Sequence, residues 1–127
     1  LAAAGVRVPK PILHKGNVVI MEFIGEGGIA YPLLEQAQLD DAQSVFNSVV
    51  NGARLTYQDA KLVHADLSGF NILATTPPVI IDWGQAVHRR HPRSEEFLDR
   101  DARNVCQFFQ RRGVDCSADG ILARIRG

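Results

Sequence analysis

The chain has 127 residues, with 14 Lys and Arg against 14 Asp and Glu and an apolar fraction of 46%, which is enough for one domain with one modest core and too little for two. Zero net charge excludes the broad basic footprint of a general nucleic-acid binder, although a local patch stays open. No apolar run approaches a membrane span and the N-terminus has no signal pattern. Cys106 and Cys116 are too few for a disulfide framework, so a reduced, cytoplasmic setting away from membranes is expected. A start at Leu1 rather than Met suggests a piece of a longer protein.

In chain order, Leu1 to Gly5 reads as the tail of a helix closed by glycine, and Val6 to Pro11 as an extended, proline-punctuated segment. His14 to Asn17 reads as a turn, and Val18 to Phe23 is β-rich, so a hairpin is predicted here. Gly25, Gly27 and Gly28 then interrupt the pattern. From Asp40 to Ala60 the spacing is helical, with Val45, Val49, Ala53 and Tyr57 in one row, Phe46 and Val50 beside it, and Asp40 or Asp41 as cap. Leu62 to His64 is a short apolar approach. Asn71 to Ala74 and Val79 to Asp82 read as two short strands joined by Thr75 to Pro78. A helix from Ser94 to Arg112 follows, with Ser94 as its cap, Glu95 and Glu96 in its first turn, and Gly113 at its end. Phe97, Ala102, Val105, Phe108 and Phe109 are expected on its buried face. Ser117 is expected to cap a last helix that buries Ile121, Leu122 and Ile125.

The residues that carry chemistry lie between those elements. Asp66 is followed five residues later by Asn71, and eleven residues after that comes Asp82, at the end of Val79-Ile80-Ile81. Asp66 or Asn71 alone would read as a turn residue. Together with an apolar strand that ends in Asp82, they match what phosphoryl transfer from Mg-ATP needs. One carboxylate meets the attacking hydroxyl or water, while an amide oxygen and a second carboxylate hold the metal against the phosphates. Magnesium suits such a set, because it takes hard oxygen ligands and keeps several waters.

His64 is expected to be structural, packing under the metal-binding turn. Ser68 has two readings, a donor to phosphate or a turn residue. Met21, Glu22 and Ile24 fit a hinge that edges an adenine, with the Glu22 carbonyl and the Ile24 amide as contacts and Met21 lining the pocket. Ile81 is placed beside the nucleotide as well. Arg89, Arg90, Arg93, Arg100 and Arg103 are interleaved with Glu95, Glu96, Asp99 and Asp101, which reads as a solvated helix face.

The run Tyr57 to Leu73, containing His64-Ala65-Asp66-Leu67-Ser68-Gly69-Phe70-Asn71, resembles the RIO family of atypical protein kinases. So do Ile81 to Val87, His91-Pro92, Glu95 to Val105, Gly5 to Pro11 and Met21 to Gly25. The resemblance covers nearly the whole chain. It implies an α+β, protein kinase-like C-lobe, mainly helical, with residues 1–24 as a remnant of the N-lobe and hinge and 25–127 as the C-lobe. It also implies ATP and Mg²⁺, or Mn²⁺, as ligands, with Asp66 catalytic and Asn71 and Asp82 as metal ligands. Asp82 would be the transient phosphate acceptor. The activity implied is serine-directed phosphorylation of a protein substrate or of the chain itself, or ATP hydrolysis. The implied setting is the maturing small ribosomal subunit and its rRNA.

Ala65, where many kinases carry Arg, argues against control by a phosphorylated activation loop. Trp83 after Asp82 is similar to the Ile-Asp-Trp of aminoglycoside and choline phosphotransferases, which keeps a small-molecule kinase as a rival. A nucleotide-binding assembly module with vestigial catalysis is another. No glycine-rich phosphate loop and no Val-Ala-Ile-Lys type strand is present, so the segment alone is expected to be nearly inactive.

Overall fold

The computed structural model describes residues 32–127 throughout and, before them, the backbone of four strand segments, 11–15, 18–21, 25–26 and 29–30. The helix tail expected over residues 1–5 lies outside the described residues. β1 (Pro11–Lys15) pairs antiparallel with β2 (Val18–Met21), Lys15 opposite Val18, with an irregular register between Pro11 and Leu13. This is the expected hairpin with a narrower connection, since the ladder takes in His14 and Lys15. The glycine-rich stretch that reads as an interruption carries a second small hairpin instead. β3 (Gly25–Glu26) pairs antiparallel with β4 (Ile29–Ala30), Gly25 opposite Ala30 and Glu26 opposite Ile29.

Residues 32–36 run beside the segments that bear the site. Leu33 bridges to Leu73, and the Pro32 carbonyl accepts from the Ala74 amide at 2.8 Å. The 3-10 turn Leu34–Gln36 buries Leu34 and leads towards α1 (Ala42–Gln58). Asp41 caps α1 by accepting from the Ser44 amide at 3.0 Å, one of the two capping residues expected. The helix buries Phe46, Val49, Val50 and Thr56, whereas Val45, Ala53 and Tyr57 lie at the half-buried margin of that stripe. The buried face is thus rotated slightly from the row read in the sequence.

β5 (Leu62–Val63) pairs antiparallel with β8 (Val87–His88), and β6 (Ile72–Leu73) with β7 (Val79–Ile80). These two-residue ladders hold the loops between them like staples. α3 (Ala118–Arg126) packs on both α1 and α2 (Ser94–Gln110) to form the base. Phe109 lies at the centre, edge-on to Phe46 at 5.3 Å and to Phe108 at 4.9 Å. Val49, Val50, Val105, Ile121 and Ile125 close around it, each worth about 1.5–3 kcal/mol when fully buried.

The helix ends are satisfied locally. Ser117 caps α3 by accepting from the Gly120 amide at 3.0 Å, and the Gln58 side chain donates to the Ile125 carbonyl at 2.9 Å across the base. Gly113, at φ 86, turns the chain after α2, as the sequence suggests. Ser94 is a correction. It is the first helical residue and not the cap, and its buried hydroxyl donates to the Arg89 carbonyl at 2.6 Å. The turn before α2 needed an internal donor there, so the hydroxyl was drawn inward.

Candidate active site

The segment from His64 to Asn71 leaves β5 in a conformation that its residue types do not favour. Ala65 sits at φ 74, in the left-handed region, and so does Asp82 at φ 65. Each costs roughly 1–2 kcal/mol for an L-residue, so something must hold it. For Ala65 the holder is α2. The Asp101 carboxylate accepts from the Ala65 amide at 2.9 Å and from the Leu67 amide at 3.0 Å. Arg100 donates to the Ala65 carbonyl, and the Asn104 amide group reaches the Leu67 carbonyl at 3.5 Å. One helix therefore grips the backbone on both sides of Asp66.

The sequence reads Asp101 and Arg100 as part of a solvated face; Arg100 is exposed as read, though its guanidinium reaches back to the loop, whereas Asp101 is a correction. Asp101 is only 3% exposed. A signal was available, because Asp101 falls in the same 3–4 spaced row as Leu98, Val105 and Phe108, all buried. A carboxylate in such a row needs buried donors, and the loop amides are those donors. Burial pushes its carboxyl above the ordinary aspartate value, against the opposing pull of the two amides, His64 and Arg100. Arg89 also departs from the solvated reading, lying over the Tyr57 ring and donating to the Tyr57 carbonyl at 3.3 Å. Arg93 and Arg103 do pair on the surface, with Glu96 and Asp99, each at 2.9 Å.

His64 links the loop to the strand that ends at Asp82. Its Nδ1 accepts from the Asp66 amide at 3.1 Å, so Nε2 carries the proton and donates to the Ile81 carbonyl at 2.9 Å. Its ring lies against Trp83, with centroids 4.7 Å apart, and Trp83 donates to the Ile80 carbonyl at 3.1 Å. The ring thus has the structural position expected of it.

Asn71 is 8% exposed and gathers the other pieces. Its side-chain nitrogen donates to the Asp66 carbonyl and, at 3.2 Å, to the Asp66 carboxylate. Its backbone carbonyl accepts from the Ile81 amide at 2.8 Å, which puts Asp82 one residue beyond that bond. Ser68 accepts from the Phe70 amide at 3.2 Å, and its carbonyl accepts from the Asn71 amide at 3.0 Å. Its hydroxyl oxygen is thus an acceptor within the turn, and its O–H proton stays available to a phosphate, so both readings remain open. Gly69 is buried where a side chain has no room. A Cβ there would lie 2.5 Å from the Phe108 ring and 2.7 Å from the Glu35 carboxylate. Gly69→Ala is expected to cost about 1–3 kcal/mol, read as a lower denaturant midpoint.

Asp66, Ser68, Asn71, Ile81 and Asp82 are therefore brought to one end of the small sheets. Met21 is the last residue of β2, while Glu22 and Ile24 lie outside the described residues. The donor set suits a hard divalent cation. The Asn71 nitrogen is spent on Asp66, leaving Oδ1 as the acceptor, and Asp82, one residue beyond the Ile81 amide bonded to Asn71, is exposed. Among the described residues no group of three His, Cys, Asp or Glu side chains could hold a metal ion alone.

A family model described as the RIO domain matches residues 1–121. The chain is 45% identical over 113 residues to the serine/threonine-protein kinase RIO1 of Caenorhabditis elegans, covering 87% of this chain and 22% of that protein. It is 41% identical over 125 residues to the RIO-type serine/threonine-protein kinase Rio1 of Haloferax volcanii, covering 98% and 43% respectively. With the Rio1 of Thermoplasma acidophilum it shares 37% over 126 residues, covering 99% and 66%. The chain thus spans from 22% to 66% of the length of these relatives. The crystal structure of the Rio2 kinase from Chaetomium thermophilum is similar over 98% of this chain and 41% of that one, with a TM-score of 0.77 and 25% identity. The same kinase in an ADP/Mg²⁺-phosphoaspartate complex gives a TM-score of 0.75, also at 25% identity, over 98% of this chain and 40% of that one.

Proposed function

The chain belongs to the RIO domain family, and from that premise we propose that the protein carrying it transfers the γ-phosphoryl group of Mg-ATP to a serine or threonine hydroxyl of a protein, or hydrolyses ATP. Its mixed, mainly helical architecture is that of a kinase-like C-lobe. Residues 1–24 are assigned to the N-lobe and hinge and 25–127 to the C-lobe. The observation that carries the reading is the position of Asp66. The backbone on either side of it, at Ala65 and Leu67, is clasped by Asp101 and Arg100, and its carboxylate is tied to Asn71 at 3.2 Å.

In this reading Asp66 orients the attacking hydroxyl or water and takes up its proton as the bond to phosphorus forms. Asn71 Oδ1 and the Asp82 carboxylate would hold Mg²⁺, which when bound neutralises charge on the phosphate oxygens. Asp101 and His64 keep Asp66 and Asp82 in register so that neither must reorganise during transfer. The Rio2 complex from Chaetomium thermophilum contains a phosphoaspartate. The same use of an aspartate here would fall on Asp82, whose side chain is exposed. Met21, Glu22, Ile24 and Ile81 would edge the adenine. The family resemblance supports a cytoplasmic role in small ribosomal subunit maturation, with protein substrates that include the chain itself. No described helix is long and apolar enough to cross a membrane. The segment by itself is expected to turn over little, because its sequence has no glycine-rich phosphate loop or Val-Ala-Ile-Lys strand.

Single-turnover assays with labelled ATP on the full-length protein test the activity. Label should reach serine or threonine, or be released as phosphate; if it does neither, the proposal fails. The metal assignment is tested separately by calorimetry. In Asp82→Ala, Mg²⁺ is expected no longer to tighten ADP binding, and an unchanged Mg²⁺ effect would refute it.

A further inference from the structure

Away from the site, the described residues bring two nucleophilic side chains together. Cys106 lies in α2 and is 6% exposed, and Cys116 lies half-buried in the connection to α3. Their sulfurs are 3.7 Å apart. Each thiol also points at the other residue's backbone carbonyl, both at 3.6 Å. The approach is set by the corner itself. Gly113 turns the chain in the left-handed region, the Val114 amide returns to the Phe109 carbonyl at 3.0 Å, and Gln110 donates to the Cys116 carbonyl at 2.9 Å.

We propose that Cys106 and Cys116 are a dithiol modification site that closes to a reversible intramolecular disulfide under a peroxide-class oxidant. Bonding needs the sulfurs to approach to about 2.05 Å, a shift that Cys116 can supply because it sits outside both helices. Cys116 is the more accessible of the two and reacts first. Its thiolate attacks one peroxide oxygen and expels hydroxide, which takes a proton to become water, leaving a sulfenic acid on Cys116. Cys106 sulfur then attacks that sulfenic sulfur, and the hydroxyl leaves as a second water with the Cys106 proton. Two thiols and one peroxide thus give one disulfide and two waters.

The surroundings set the rate. Burial, then the neighbouring Cys106 thiol, push the Cys116 thiol up to about 11. Its thiolate is therefore scarce at neutral pH and becomes more abundant as pH rises. The site resists casual oxidation and closes under sustained or alkaline exposure. Closure would tie the end of α2 to the start of α3, on the same helix whose earlier turns hold the Asp66 loop.

The test treats the chain with hydrogen peroxide at pH 7 and pH 9, followed by alkylation and intact mass measurement. The expected result is a loss of two hydrogens, no alkylation, and a linked pair of peptides containing Cys106 and Cys116 that dithiothreitol separates. Closure should be faster at pH 9, and the oxidised chain should melt several degrees higher than the reduced one. In Cys106→Ser, Cys116 should stop at a sulfenic acid that dimedone traps. Sulfinic acid on Cys116 with Cys106 still alkylatable, a bond between two chains, or an oxidised chain that melts lower would each overturn the proposal.

Discussion

Asp66→Ala in the full-length protein is expected to lower phosphoryl-transfer turnover by about 10²- to 10⁴-fold, the usual worth of a positioned acid or base, with nucleotide affinity and thermal midpoint little changed. Fold and chemistry separate at this residue because of where its bonds lie. The backbone on either side of Asp66 is held by Asp101 through the Ala65 and Leu67 amides, and the Asp66 amide itself by His64, none of which needs the Asp66 side chain. Asn71 would lose its 3.2 Å contact to the carboxylate and keep its bond to the Asp66 carbonyl. Single-turnover measurement with labelled ATP, next to a melting curve, checks both halves. Turnover within tenfold of an active parent would refute the role given to Asp66.

Asp101→Ala is expected to act in the opposite way, costing about 2–4 kcal/mol of stability because two buried backbone amides, Ala65 and Leu67, lose their acceptor. The strained Ala65 would lose a clamp at the same time, so turnover should fall although Asp101 touches no reacting atom. Asp101→Asn keeps one acceptor oxygen and should lose less. Denaturant titration of the three chains gives the order. The pH dependence follows from the raised carboxyl. The folded chain binds that proton more readily than the unfolded one, so the contribution of Asp101 is fully present below the ordinary carboxylate pKa. It is lost as pH rises from there through the raised folded value. Relative to Asp101→Asn, the parent should therefore lose stability across that window as pH increases. A gain would contradict the assignment.

How far the sequence carries depends on how local the cause is. Asp41 and Ser117 cap their helices by bonding amides three residues on, and Gly113 supplies a backbone conformation by lacking a side chain. Such features are written in neighbouring letters. The paired hairpin at Val18 and the strands around Thr75 to Pro78 are legible for the same reason. Ser94 misled because a serine before a helix is a cap by default, and only the turn at Arg89 shows where its hydroxyl was needed. Gly25 misled because glycine reads as a break although its backbone can also join a strand, as it does opposite Ala30. The β5–β8 ladder could not be read at all, since Leu62 and His88 meet only once the intervening chain has folded.

The candidate site divides in the same way. By itself the sequence determined which chemistry the chain can present. Asp66, Asn71 and Asp82 are oxygen donors of the right kind at a spacing that few bland segments share, and their types do not depend on what surrounds them. The tertiary structure decided what holds those donors in place. Asp101 lies 34 to 36 residues from the amides it accepts, and His64 lies 17 from the carbonyl it reaches. Whether a charged residue on a helix faces water or a loop backbone depends on what packs against that helix, and that is settled only when distant segments meet.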